Sequence, residues 1–298
     1  MWCGGKMKIS FWSNVRGTAG VTTNLACVSA LTSISGQGKS VLLENHYSMQ
    51  GIGDILLLPE KIGRLREEGE YFSHYGIEYV LKRLYSGEKA DKLVHHATIP
   101  LLFSTMYYLP QAKIVNKEVF AYEFNLVQEN LFDALSEISD YIFIDTETNQ
   151  NLSSSVILSK ADMVVVNLDQ NPVHLKEYFT NYTSIREKAV YLIGNYKPEL
   201  PWDVGKICKE FHIPKDKIGI IPFNMELHDA MLQGHLLQYL NRNYYKPSDM
   251  ENEYFIRYAK RASQMVRKNI LRVRKGISSL AQENVRGYNE INNVMQNG

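Results

Sequence analysis

The chain has 298 residues, 45% of them hydrophobic, with no Pro-, Gly- or Ser-rich linker, so one large α/β core is expected. A formal net charge of +1 gives no whole-molecule argument for a nucleic-acid partner, and any basic surface must be local. Cys3, Cys27 and Cys208 fit no zinc, redox or paired-disulfide spacing, no apolar run is long enough to span a bilayer, and the first ten residues lack a signal-peptide core. A cytoplasmic protein is expected.

The first element is an apolar-rich strand over 8–13, ending at Ser13. Asn14 to Gly20 forms a glycine-bearing loop, and Leu25 to Leu31 reads as a buried helix of apolar and small residues. A turn over Ser35 to Lys39 leads to a short strand, Ser40 to Asn45. Strand, helix and strand over so few residues make a βαβ unit with a right-handed crossover. Residues 46–60 read as loop and a short helical turn. Residues 61–90 read as polar helix, with Tyr71, Tyr75, Tyr79 and Tyr85 near helical spacing. Core or partner packing fits these tyrosines better than base stacking.

Residues 105–109 suggest a strand ending at Pro110. A helix is expected over 117–138, with Val119, Tyr122, Leu126, Leu131, Leu135 and Ile138 as its apolar face. Further strands are expected at 141–145, ending in Asp145, at 163–168, at 189–193 and at 217–222. Helices are expected from Pro172, over 203–211, and from about Met250 to about Arg274. Near-continuous apolar strands alternating with helices give a doubly wound, mostly parallel sheet covered on both faces. The domain is expected to occupy residues 1–275, with 276–298 a polar, frayed tail. His95 and His96 have no partner at metal-ligand spacing.

Ligands in such sheets bind at the carboxyl ends of the strands. The loop after Ser13 lies there, between a strand and a helix, the context in which a glycine motif becomes a phosphate-site candidate. Gly17 and Gly20 allow close backbone approach to an anion. The free N–H groups of the next helix point at it. Thr22 stands where a hydroxyl reaches a phosphate-bound Mg²⁺. The cation expected just before the Thr22-Thr23 pair is missing, and Val21 stands there.

Together these loops resemble the ParA/MinD family of P-loop ATPases over about residues 7–275. In that resemblance Arg16 takes the place of the signature lysine, Gly17 and Thr18 that of a glycine pair, and Ala19 the variable position. Gly20 is the next glycine, Val21 replaces the loop lysine, and Thr22-Thr23 is the hydroxyl pair. Asn45 matches the catalytic aspartate at the end of the second strand, and a one-residue slip brings Glu44 there instead. Asp145 matches the acid that holds Mg²⁺ through water, and Glu147 departs from the usual proline or glycine. Asn195 stands where an asparagine reads the adenine edge. Pro222 and Phe223 begin a late loop that packs on the adenine.

The resemblance implies ATP or ADP with Mg²⁺, and a homodimer. The altered loop and strand end are similar to the TadZ/CpaE branch, which localises Tad-type pilus or secretion assembly proteins. It implies weak or absent hydrolysis, with Arg16, Asn45 and Asp145 as a thinned catalytic set. Two other readings stay open: an active partitioning ATPase that binds DNA, and a scaffold that has lost its nucleotide. Residues 260–275 carry seven cations and no acid. They read as a docked helix with a solvated basic face, or as a contact to anionic membrane, DNA or an acidic partner. A peripheral place at the inner membrane face is thereby left open.

Overall fold

The computed structural model describes residues 6–46, 51–63, 75–88, 90–102, 105–111, 116–148 and 151–296. Its strands are β1 (Met7–Trp12), β2 (Ser40–Asn45), β3 (Ile99–Leu101), β4 (Met106–Leu109), β5 (Tyr141–Thr146), β6 (Met163–Leu168), β7 (Ala189–Tyr196) and β8 (Ile218–Pro222). They form one sheet in the order β3-β4-β2-β5-β1-β6-β7-β8. Every pairing is parallel except β3 with β4.

The first helices are α1 (Val21–Ile34), α2 (Ile52–Leu56), α3 (Gly76–Tyr85), α4 (Ala90–Ala97), α5 (Lys117–Ile138) and α6 (Leu152–Lys160). They are followed by α7 (Pro172–Asn181), α8 (Val204–Phe211), α9 (Met225–Leu232), α10 (Leu236–Tyr245) and α11 (Met250–Gln296). One sheet face packs against α1, α2, α10 and α11 through Phe11, Leu42, Phe143, Val165 and Leu192. The other is covered by α3 to α6 on the β2 side, and by α7 and α8 on the β7 side. Residues from Asn24 to Ser33 of α1 are buried because the helix lies between the sheet and α11. Its buried hydroxyls are satisfied there, with Ser29 donating to the Ala26 carbonyl and the Thr32 and Ser263 hydroxyls 3.1 Å apart. Short polar caps start the outer helices: the Asn116 side chain accepts from Glu118 and Val119, Asn171 from Val173, and Asn224 from Leu227.

Three expectations change. The apolar face of α5 is rotated: Phe120, Phe124 and Val127 join Leu131, Leu135 and Ile138 in the core, whereas Val119, Tyr122 and Leu126 are exposed. β3 was not expected; it is a three-residue edge strand with Pro100 at its centre. Residues 61–90, expected to be mostly helical, are so at 61–63, at 76–85 in α3 and at 90, while 64–74, with Tyr71, lie outside the described residues. Helix α11 runs on to Gln296 instead of ending near Arg274. Its apolar stripe of Phe255, Ala259, Ala262, Val266 and Ile270 is buried.

Several cations of α11 have partners inside the molecule. Lys260 Nζ donates to the Tyr244 carbonyl at 2.6 Å, and Arg272 pairs with Asp216. No helix among the described residues is long and apolar enough to cross a membrane.

Candidate functional site

Strand β1 lies at the centre of the sheet, between β5 and β6; the chain leaves it for β2 on the β5 side and later crosses from β5 to β6 on its other side. The crevice beyond its carboxyl end is where a doubly wound sheet binds ligands. Phe11 of β1 pairs in register with Asp145 of β5, so Ser13 and Asp145 share that end. The loop from β1 to α1 fills it. Gly17 and Gly20 have φ of 81° and 65°, a left-handed backbone that glycine adopts without strain.

Gly20 precedes α1 directly. No side chain caps the helix N-terminus, and its first turn has no acid. An uncapped terminus with free N–H groups and the positive dipole end is suited to an anion. The loop is pinned from behind. Buried Asn24 donates from Nδ2 to the Ala19 carbonyl at 3.1 Å and to Asn167 Oδ1 at 2.8 Å. Gly194 of β7 brings its main chain against the Ala19 carbonyl so closely that a Cβ there would lie 2.1 Å from the oxygen.

The loop opens into a cleft of about 260 Å³. Arg16, Gly17, Gly20, Val21, Thr22 and Thr23 line one side, Asp145 to Thr148 a second, and His46, Gly51, Ile55 and Met231 the rest. The Thr22 hydroxyl donates to Asp145 Oδ2 at 2.7 Å, and the Thr23 hydroxyl contacts Met231 Sδ at 3.7 Å. Two adjacent hard oxygens, one hydroxyl and one carboxylate, fit a Mg²⁺ ion that brings its own phosphate and water ligands. Among the described residues no group of three or more His, Cys, Asp or Glu forms a protein-only metal cage.

The expected residues do not all converge. Ala19 is buried behind the loop, and Thr18 contributes its carbonyl, which accepts from Asn195 Nδ2 at 3.3 Å. Asn195 thus braces the loop from β7. Pro222 and Phe223 lie one strand further on, outside the cleft. Phe223 is 41% exposed, with Lys197 Nζ 5.1 Å from its ring centre.

Asn45, expected in the cleft, is not among the residues that line it. Leu42 belongs to the core under α1, and Val41 and Leu43 to the core under α5. Alternation along β2 therefore sends Asn45 to the face opposite the glycine loop. Its Nδ2 donates to Ser154 Oγ of α6 at 3.3 Å. Glu44 is on the loop side but is buried, and its Oε1 accepts from the Ile52 and Gly53 N–H groups at the start of α2. Burial, reinforced by Asp145, pushes the Glu44 carboxyl up to about 7, against the opposing effects of His46 and those N–H bonds.

The same alternation brings in a residue that motif reading passes over. His46 follows Leu42 and Glu44 on the loop side, and its Nε2 lies 3.2 Å from Asp145 Oδ2. Burial pulls the His46 pKa down, but the neighbouring carboxylates, Asp145 above all, outweigh it and raise the value to about 9. Alternation groups His46 with Leu42 and Glu44, but the choice of face comes from packing against α1 and not from the sequence.

No family model matches the sequence, and no curated protein does. Solved structures do. A cell division ATPase MinD from Pyrococcus furiosus superposes with a TM-score of 0.63 at 17% identity, covering 89% of this chain and 99% of that one. A ParA family ATPase from Chlorobium tepidum gives 0.62 at 12% identity, over 86% and 98%. This chain has the ParA/MinD fold. A plasmid partition protein from Borrelia burgdorferi, bound to AMPPNP, gives 0.56 at 17% identity over 89% and 99%. The ParA/MinD-like assignment thus rests on nearly the full length of these structures, and on the position of the loop beyond β1 within the shared sheet.

Proposed function

We propose that this ParA/MinD-like chain binds ATP or ADP with Mg²⁺ and acts as a spatial organiser that hydrolyses ATP slowly or not at all. One observation carries the reading: an uncapped helix N-terminus after a two-glycine loop, with the Thr22 hydroxyl bonded to the Asp145 carboxylate at 2.7 Å. Gly17, Gly20 and the first N–H groups of α1 would hold the phosphates. Thr22 and Asp145 would hold the metal, and Asn195, Pro222 and Phe223 would flank the base. Bound Mg²⁺ would neutralise phosphate charge, and the backbone N–H groups would fix the phosphate chain's position.

Hydrolysis is another matter. Val21 brings no charge to the phosphates, and a charge-assisted hydrogen bond there is worth roughly 1.5–3 kcal/mol. Asn45 faces α6. Glu44 is committed to the start of α2. No strand-end carboxylate of β2 is thus free to orient a water, which removes transition-state stabilisation beyond ground-state contact.

The finer reading follows the likeness to the TadZ/CpaE branch: a homodimer, with Arg16 at its interface beside the nucleotide loop. It recruits pilus or secretion assembly proteins from a cytoplasmic or peripheral position at the membrane. Exposed cations between 260 and 275 are its candidate anionic-surface contact. Steady-state phosphate release from purified protein with Mg-ATP tests the reading. Little or no release alongside measurable binding is expected, and robust turnover would favour an active partitioning ATPase.

A further inference from the structure

The phosphate loop lacks its cation, yet the cleft has basic groups. Among the described residues lining it, these are Arg16, exposed on the loop, and His46, buried at 8% exposure at the end of β2. We propose that His46 supplies the phosphate contact that Val21 lacks, donating an imidazole N–H to a terminal phosphate oxygen of a bound nucleoside di- or triphosphate. The inference rests on the nucleotide-binding reading and adds a residue to that site.

The geometry places the ring without needing any rearrangement of the sheet. Glu44 pairs in register with Asp145, and Asn45 with Thr146, so His46 leaves β2 opposite the end of β5. Its alternation partners Leu42 and Glu44 fix it on the α1 side. Nε2 then meets the same Asp145 oxygen that accepts the Thr22 hydroxyl, at 3.2 Å and 2.7 Å. His46 and Thr22 are therefore one carboxylate oxygen apart, and both line the cleft at the start of α1. A lysine at 21 would reach that space from the loop, and His46 reaches it from the neighbouring strand. Arg16 is a weaker candidate because the residue is exposed on the loop.

A purely structural role, as a buried partner for Asp145, is the competing account, and a rescue experiment separates the two. Mg-ADP affinity would be measured by calorimetry on the full chain for wild type, His46→Gln, Val21→Lys and the double variant. His46→Gln should weaken binding about ten- to a hundredfold, the equivalent of one charge-assisted hydrogen bond. Adding Val21→Lys should restore most of the loss, since lysine would serve the same phosphate from a different element. In wild type, the ¹⁵N resonances of the His46 ring should move on addition of Mg-ADP. Unchanged affinity in His46→Gln, a loss that Val21→Lys does not restore, or an unmoved ring resonance in ADP-saturated protein would each overturn the inference while leaving nucleotide binding intact. A folded wild type that binds no Mg-ADP would instead overturn the nucleotide reading and this inference with it.

Discussion

Gly194→Ala is expected to damage the molecule out of proportion to one methyl group. Gly194 lies in β7 outside the left-handed region, so alanine would bring no backbone strain, and at an open position it would slightly stabilise the chain. Here the new Cβ would lie 2.1 Å from the Ala19 oxygen, 2.7 Å from Asn24 Nδ2 and 2.9 Å from the Ala19 carbonyl carbon. Two of these three are main-chain atoms of the glycine loop, which cannot swing aside as a side chain can. The loop must move by roughly 1 Å in a close-packed interior, an overpacking that costs about 1–3 kcal/mol. That shift also breaks the bond from Asn24 to the Ala19 carbonyl, 3.1 Å long and buried, for about 1 kcal/mol more. A destabilisation of about 2–4 kcal/mol is expected in urea unfolding, read as a lower midpoint at unchanged slope. Gly63→Ala, where a Cβ would meet nothing within 4 Å, serves as the control and should shift stability by less than about 0.5 kcal/mol. An unchanged or raised midpoint for Gly194→Ala would refute the claim that β7 props the loop.

Other expectations follow from the same cleft. Because the folded His46 pKa is raised from 6.5 to about 9, its contribution is complete below pH 6.5 and is lost as pH rises towards 9. The Glu44 carboxyl, raised from 4.5 to about 7, binds its proton more tightly in the fold, so stability also falls between those pH values. Each displacement corresponds to at most about 3 kcal/mol, and the two are coupled and do not simply add. Urea midpoints should therefore decline from pH 5 to pH 9, and a flat or rising profile would contradict these environments. Thr22→Ala leaves the buried Asp145 oxygen with one partner fewer and should destabilise the ligand-free protein by about 1–3 kcal/mol, measurable by thermal or urea unfolding. Arg16→Ala should weaken the proposed homodimer; an unchanged dimer constant by analytical ultracentrifugation would remove Arg16 from the interface.

Much of the architecture was readable from residue pattern. β1, β2, β5 and β6 are apolar runs bounded by turns, and the glycine loop between β1 and α1 marked the binding end of the sheet. The same burial hid the detail that matters most at the site. A strand covered on both faces has no polar alternation, so nothing in Val41 to Asn45 tells which residues face α1. That is why Asn45 was expected in the cleft and His46 was not. Helix α5 posed the same difficulty, since Val119, Tyr122 and Leu126 form as regular a stripe as Phe120, Phe124 and Val127. Only packing against α3 and the sheet selects between them. β3 is too short, and too interrupted by Pro100, to register as a strand. The continuation of α11 past Arg274 is polar, which suggested fraying, but no proline follows to stop it.

The central claim is that the loop between β1 and α1 is a working phosphate site despite Val21. Its most direct test is calorimetric titration of the full-length protein with Mg-ATP, after mass spectrometry has shown that no nucleotide co-purified. The account predicts saturable binding at one site per chain, with a dissociation constant in the micromolar-to-millimolar range by rough estimate from the missing charged contact. It further predicts that Asp145→Ala weakens that binding. Folded wild-type protein that gives no binding heat and no thermal shift at millimolar Mg-ATP would contradict it.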